Sequence, residues 1–389
     1  MVKLPDWFSF MKVRLSYTSV GTAYNMYITR EIYEYNDQTN QYNTLLLYPN
    51  RNLQPELTNS YEAGFNMRFF KGALNLDATY YKSNTLHQTF VANVPSTSGY
   101  NGVYVQAGNV QNTGVELSLG YNNKWNGFSW SSNVTFSYNE NKVKKLADGI
   151  TNPVTGEAIF MPYLDKATLG STGSPIVRLT EGGSMGDIYV NRDWKRNENG
   201  YVLLDPKTFL PSMVDTEYKK AGSLLPKTHA GWRNSFSYKG ATLNILFSGR
   251  FGGLVVSNTQ AILDRYGVSK ASAGVREAGG VSISNINVSA KDYLNAVAAG
   301  TGQGAHYIYD ASNIRLGEVS LEYAIPKKWV SNIADVTIGL VANNLAMIYC
   351  KAPFDPELVA SASNTFYTGV DYFMQPSLRN LGFSLKLQF

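Results

Sequence analysis

The 389-residue sequence predicts an all-β fold: an antiparallel transmembrane β-barrel meander of about 12 strands. Three observations carry that prediction. Apolar and polar residues alternate with period two in segment after segment. Short turns and long polar stretches alternate between those segments. The chain also ends on Leu381-Gly-Phe383-Ser-Leu385-Lys-Leu387-Gln-Phe389, a strand with one apolar face. A soluble strand with one face in a core alternates in the same way, so the closing aromatic is the more informative part. Outer-membrane barrels commonly close on such a strand, which resembles the signal read by the barrel-assembly machinery. Leu381, Phe383, Leu385, Leu387 and Phe389 are therefore the candidate assembly signal.

Composition agrees with strands. Tyr (27) and Phe (18) dominate an aromatic content of 13%, and charged residues are only 16%, which suits pleated, half-buried surfaces and turns better than helices. A net charge of +5, mild and spread along the chain, gives little support to a nucleic-acid surface. The lone Cys350 rules out an intrachain disulfide, and with it a small secreted domain stapled by bridges. A barrel needs none, because its hydrogen-bonded closure satisfies the backbone. No apolar run approaches the roughly 18 residues of a membrane helix. The start, Met1-Val-Lys-Leu-Pro-Asp-Trp-Phe8, lacks the apolar centre of a signal peptide. An exported protein without one is expected to be a piece of something longer.

The first alternating segment is Phe10 to Val20, with Val13, Leu15 and Tyr17 on one face. Tyr61, Ala63, Phe65, Met67 and Phe69 then alternate with Glu62, Gly64, Asn66 and Arg68. A Lys71-Gly72 turn leads into Leu74, Leu76, Ala78 and Tyr80, which makes a tight hairpin. The unit recurs from Val115 to Tyr121, turns between Asn122 and Gly127, and returns through Phe128, Trp130, Val134 and Phe136. Trp232 to Tyr238 turns at Lys239-Gly240 into Leu243 to Phe251, and Ile314 to Tyr323 turns through Pro326 into Val336, Ile338 and Leu340. A further pair is read at Ile176 to Thr180 and Asp187 to Lys195. Within the strand around Ile314 the apolar positions switch from even to odd between Leu316 and Val319, which predicts a β-bulge.

Six long polar stretches, residues 21–58, 83–108, 145–174, 197–227, 257–304 and 349–375, separate these pairs. Structureless loops of that length argue against a compact soluble domain, whereas barrels carry long loops on the outer rim and short turns on the periplasmic side. An even number of strands then lies between any two long stretches, and the last strand descends to the periplasm.

Asn52-Leu-Gln-Pro-Glu-Leu-Thr-Asn-Ser-Tyr-Glu-Ala-Gly-Phe65, Ala107-Gly-Asn-Val-Gln-Asn-Thr-Gly-Val-Glu-Leu-Ser-Leu119, Ala311-Ser-Asn-Ile-Arg-Leu-Gly-Glu-Val-Ser-Leu-Glu-Tyr323 and Ala342-Asn-Asn-Leu345, with Trp7 to Gly21 before them, resemble the signature strands of the SusC/RagA-like TonB-linked outer-membrane proteins. The resemblance runs from Trp7 to Phe389 and covers the C-terminal part of that family. It implies a single barrel domain over residues 1–389, taken from a transporter barrel of about 22 strands plugged by an N-terminal domain. The plug, the TonB box, the signal peptide and roughly the first ten strands are expected to be absent. Two bare strand edges would follow. This chain alone is therefore expected to stay an open sheet and not to transport. The resemblance also implies outer-membrane lipid around the barrel, a SusD-like surface lipoprotein over the loops, and a glycan or peptide substrate. TonB would act only through the missing N-terminal part.

No enzyme chemistry is read, and no cofactor. His87, His229 and His306 lie far apart with no Gly-x-Ser-x-Gly motif, and are expected to be polar residues of the rim or lumen. Asp355, Glu357, Asp187 and Asp193 lack the spacing of a calcium loop, so no metal site is expected. Loop aromatics Tyr100, Tyr104, Phe366, Tyr367 and Tyr372 are candidates for stacking on substrate or for a partner interface; Phe373 belongs with them. A self-contained small barrel acting as a passive pore or hydrolase is the alternative.

Overall fold

A computed structural model describes the chain apart from residues 1–4, 6, 27, 34, 44–45, 94–98, 147–161, 170–174, 284, 300–303, 331–332, 358–367 and 389. An 11-stranded sheet dominates it, close to the dozen strands expected. Its long strands are β1 Phe8–Thr22, β2 Glu56–Phe69, β3 Leu74–Asn93, β4 Gly102–Trp125, β5 Phe128–Lys145, β6 Thr228–Tyr238, β7 Ala241–Phe251, β8 Asn313–Ile325, β9 Asp335–Cys350 and β10 Asn380–Gln388. Each pairs antiparallel with the next in chain order, and the short strand Leu47–Tyr48 lies parallel against the start of β4. Among the described residues β1 and β10 have only one neighbour each. The sheet is open, as expected of this chain by itself.

Alternation of the connections holds except at β3–β4, where one strand runs on to Asn93 and the next begins at Gly102. The β2–β3, β4–β5, β6–β7 and β8–β9 turns are short and share one end of the sheet, and the long segments leave from the other. Asn126-Gly127 has φ of 42° and 85°, and Lys239-Gly240 has 47° and 87°. Two successive left-handed residues make the hairpin turn whose twist matches the flanking strands. The first of these turns is tighter than the 122–127 reading, because Asn122 to Trp125 stay paired with Ser131 to Phe128. The expected bulge is present: Leu246 pairs with Glu318 and Phe247 with Leu316, leaving Gly317 unopposed.

Two long stretches and one strand pair differ from expectation. Residues 83–108 are mostly strand, because β3 and β4 stay paired from Ser83 with Asn112 up to Asn93 with Gly102. Polar side chains on both faces hide the period of two there, while Asn84 donates to Asn109 across the ladder at 2.8 Å. The pair Ile176–Thr180 and Asp187–Trp194 forms as a hairpin but not in the barrel sheet; it joins Tyr163–Thr168 and Met213–Ser223 in a separate four-stranded sheet. An even excursion preserves strand parity, so parity could not expose it. Residues 257–304 contain three helices, α1 Asn258–Arg265, α2 Lys270–Glu277 and α3 Ala290–Ala298. Each begins at a serine, Ser257, Ser269 or Ser289, whose hydroxyl accepts from a backbone N–H of the first turn.

The two faces of the main sheet are chemically distinct. Met11, Met67, Leu76, Leu119, Val134, Trp232, Phe247 and Leu316 stand directly opposite one another across eight strands. This face is uncovered: Leu15 is 80% and Leu340 62% exposed, a surface that would aggregate in water and suits lipid. Near the short turns it carries stacked rings, Trp7 on Phe69 at 6.0 Å, Trp125 on Phe128 at 6.1 Å and Trp130 on Phe236 at 6.3 Å, the placement of an interfacial aromatic belt. The dry core lies elsewhere, in the long-segment cap. Val177, Leu179, Ile188, Leu224 and Val256 are fully buried there. Leu254–Ser257, Ile308–Asp310 and Val370–Asp371 add a three-stranded sheet to that cap.

Candidate functional site

The opposite face of the sheet is polar, and its register makes it a grid. One row runs Arg14, Gly64, Thr79, Glu116, Ser137, His229, Arg250, Asn313, one residue per strand from β1 to β8. The next row toward the short turns runs Asp77, Ser118, Thr135, Gly231, Ser248, Arg315 from β3 to β8. From β3 to β8 both rows pass from an acid, Glu116 or Asp77, to an arginine, Arg250 or Arg315, with hydroxyls between. A cavity of about 540 Å³ lies over this grid.

The outer charges of the second row are neutralised by protein. Arg14 forms a two-pronged pair with Asp77 at 2.8 and 3.0 Å. To do so it crosses β2 at Gly64, where a Cβ would come within 3.2 Å of the Arg14 Nη2 and 2.9 Å of the Ala78 carbonyl. Tyr81 crosses β4 over Gly114 in the same manner and donates to Asn139 at 3.1 Å. At the other end Arg315 donates to both oxygens of Asp355 and lies 3.4 Å from Glu357. Asp355 also accepts from Ser377. The segment after β9 is thus tied to the barrel wall. Burial raises the Asp355 pKa, but Arg315, Ser377 and the Glu357 amide outweigh it and hold the carboxyl below its ordinary range.

The first row is left open between Glu116 and Arg250. Among the described residues Glu116 and Arg250 have no ion-pair partner, and the buried Arg250 Nε has no hydrogen-bond partner. His229 lies between Ser137 and Arg250 on the polar face, as expected. His87 occupies a positive-φ position (58°) in the outer part of β3, and His306 lies in the short 3-10 turn Gly304–Tyr307 of the cap. Two of the carboxylates considered for metal are tied to cations instead, Asp355 to Arg315 and Asp187 to Lys220.

Among the described residues the loop aromatics form no single group. Tyr100 packs edge-on against Tyr48 at 5.1 Å, and Tyr104 is part of β4, its carbonyl accepting from Asn50. Tyr372 is exposed and packs against Phe373. Phe366, Tyr367 and Phe389 lie outside the described residues. Leu381, Phe383, Leu385 and Leu387 are exposed on β10, paired only to β9. A compact aromatic group that the sequence did not single out lies on the cap sheet, where the Arg178 guanidinium sits 3.8 Å from the Tyr163 ring and 4.3 Å from that of Tyr218 while pairing with Asp165.

The family described as TonB dependent receptor-like, beta-barrel matches residues 2–345. This chain belongs to that family. Its relatives in Formosa agariphila include TonB-dependent receptor P3, 25% identical over 88% of this chain, and TonB-dependent receptor P26, 25% identical over 90%. The whole chain superimposes on the RagAB peptide transporter with a TM-score of 0.73 at 17% identity, and 99% of it on the closed-closed state of the RagAB peptide importer with a TM-score of 0.71. These agree with the SusC/RagA resemblance of the strands. The chain spans 35% and 37% of the length of the two receptors and 42% of the RagAB chain.

Proposed function

We propose that this chain is the C-terminal part of an outer-membrane, TonB-dependent importer whose substrates are peptides, and that a surface lipoprotein covers its cap. The observation that carries the reading is the two-faced meander itself. An uncovered apolar face with an aromatic belt suits lipid, a polar grid suits a solvated lumen, and all the long segments gather at one end. The likeness to the RagAB peptide transporter over the full chain supports peptides as cargo and a lipoprotein as partner. Energised transport, in this reading, needs the rest of the barrel and its plug. The bare outer edges of β1 and β10 among the described residues disfavour a self-contained pore or hydrolase, since such edges cannot be satisfied in lipid.

The test is made in cells producing the complete transporter. Affinity capture through a tag on this chain, from outer-membrane fractions, is expected to bring down a surface lipoprotein, and labelled oligopeptide uptake is expected to stop when the gene is removed. Unchanged peptide uptake with loss of growth on a polysaccharide would replace peptides by glycans as the cargo. Recovery of the chain outside the outer membrane would overturn the reading.

A further inference from the structure

Resting on the peptide-import reading, we infer that the row Glu116–Ser137–His229–Arg250 is a subsite for short peptides with free ends, the ammonium at Glu116 and the carboxylate at Arg250. The geometry is set by the sheet. Glu116, Ser137, His229 and Arg250 stand directly opposite one another on four adjacent strands. Three strand spacings separate the two poles, about 14 Å. Four residues of extended chain span about the same distance.

Several features single out these poles from the other charges of the grid. Asp77 and Arg315 are already occupied by Arg14 and Asp355, so a ligand would have to displace a built ion pair to reach them. Glu116 and Arg250 have no such partner among the described residues, and the Arg250 Nε is buried without an acceptor. Arg250 lines the cavity, and a guanidinium there can grip a ligand carboxylate with two N–H donors. The ground between the poles is open and hydrogen-bonding. Ser137 and His229 lie in the row, Thr135 and Ser248 in the row below, and Gly231 between those two brings no side chain into the cavity. Glu357, from the segment after β9, also lines the cavity. Its charge already acts on Arg250, so the ligand carboxylate shares that guanidinium with Glu357, and a neutral or basic side chain beside it is favoured over an acidic one.

Calorimetric titration of the complete transporter that contains this chain, in detergent micelles, with tetra-alanine tests this, together with its N-acetylated and C-amidated forms and with di-alanine. Free tetra-alanine is expected to bind at least 10-fold more tightly than either capped form and than di-alanine. Glu116→Gln is expected to remove the penalty for acetylation alone, and Arg250→Gln the penalty for amidation alone, with strand content by circular dichroism unchanged. Arg250→Lys is expected to restore part of the amidation penalty. If tetra-alanine binds the wild type but the penalties for the two caps persist in the variants, the subsite is overturned while the peptide-import reading stands. If the wild type binds no form of tetra-alanine, the subsite is overturned too, and uptake of labelled peptides by cells decides the import reading separately.

Discussion

Arg14 on β1 grips Asp77 on β3, two strands away, by passing over Gly64 on the strand between them. The pair is half-exposed, 40% and 36% for the two side chains, so solvent screens it and its own contribution is small. The glycine matters more. A Cβ at position 64 would lie 2.9 Å from the Ala78 carbonyl, a backbone atom that cannot turn aside. Gly64→Val is therefore expected to cost about 1–3 kcal/mol, clearly more than Arg14→Gln, in chemical denaturation of the protein in detergent. Equal losses for the two variants would show that the crossing does not constrain the sheet.

At the opposite end of the grid, Arg315 and Asp355 are both nearly buried, 9% and 11% exposed. Removing one partner of such a pair strands the other charge, at a cost of about 3 kcal/mol. Asp355→Ala is expected to release the segment after β9, raising hydrogen exchange at residues 351–357 while leaving β3 and β4 protected. The pH dependence has a defined sign. The folded carboxyl is held below the ordinary value of 3.8, so the Asp355 contribution is complete above that pH and is lost as pH falls through the lower folded value. Protection of residues 351–357, corrected for intrinsic exchange, is expected to be flat from pH 7 to about 4 and to drop below it.

Much of this architecture was legible because it depends on local chemistry. The Lys239-Gly240 turn needs residues that accept positive φ, and the Gly317 bulge shifts the apolar positions within one strand; both leave marks in adjacent residues. The helices of the cap also left marks, in Ser257, Ser269 and Ser289, but each helix is only eight or nine residues long and Ser, Ala and Gly there resemble a loop. What could not be read was which strand lies beside which. Ile176 to Thr180 alternates as a barrel strand would, yet its partners are in the cap. Glu116 and Arg250 face the same cavity only because β4, β5, β6 and β7 are stacked in one register, and β5 and β6 are joined through more than eighty residues of chain. Side-chain type alone gave no reason to connect them.

The capping serines permit a separate test of the cap. Ser289 accepts from the Asp292 amide and donates to its carboxylate, a reciprocal arrangement at the start of α3. Ser289→Ala is expected to cost about 1 kcal/mol and to raise hydrogen exchange in residues 290–298 without altering the strands. Ser289→Asp, which keeps an acceptor at the cap, is expected to retain most of the protection. Loss of protection in β7 or β8 with Ser289→Ala would show instead that cap and barrel sheet unfold together.

Lys166 on the strand Tyr163–Thr168 gives the cap a second pH response, of opposite sense to an ordinary surface lysine. Its ammonium donates to the Val91 carbonyl at 2.9 Å and lies 4.6 Å from the Phe90 ring, beside the buried group of Phe90, Val105, Val143 and Leu179. Burial pushes its pKa down from 10.5 to about 8. A lysine whose folded pKa lies below its unfolded one binds fewer protons when folded, so stability rises with pH between the two values. The cap is therefore expected to gain stability as pH goes from about 8 to 10.5, and to show no such gain from Lys166 below pH 7, where both states are charged. Lys166→Met keeps the apolar stem in place and removes the ammonium, so it is expected to abolish the Lys166 part of that rise and to stabilise the cap at pH 7. Thermal unfolding followed by hydrogen exchange of residues 163–168 reads both effects. A Lys166→Met protein that is less stable than wild type at pH 7 would mean that the contacts with Val91 and Phe90 outweigh the cost of burying the charge.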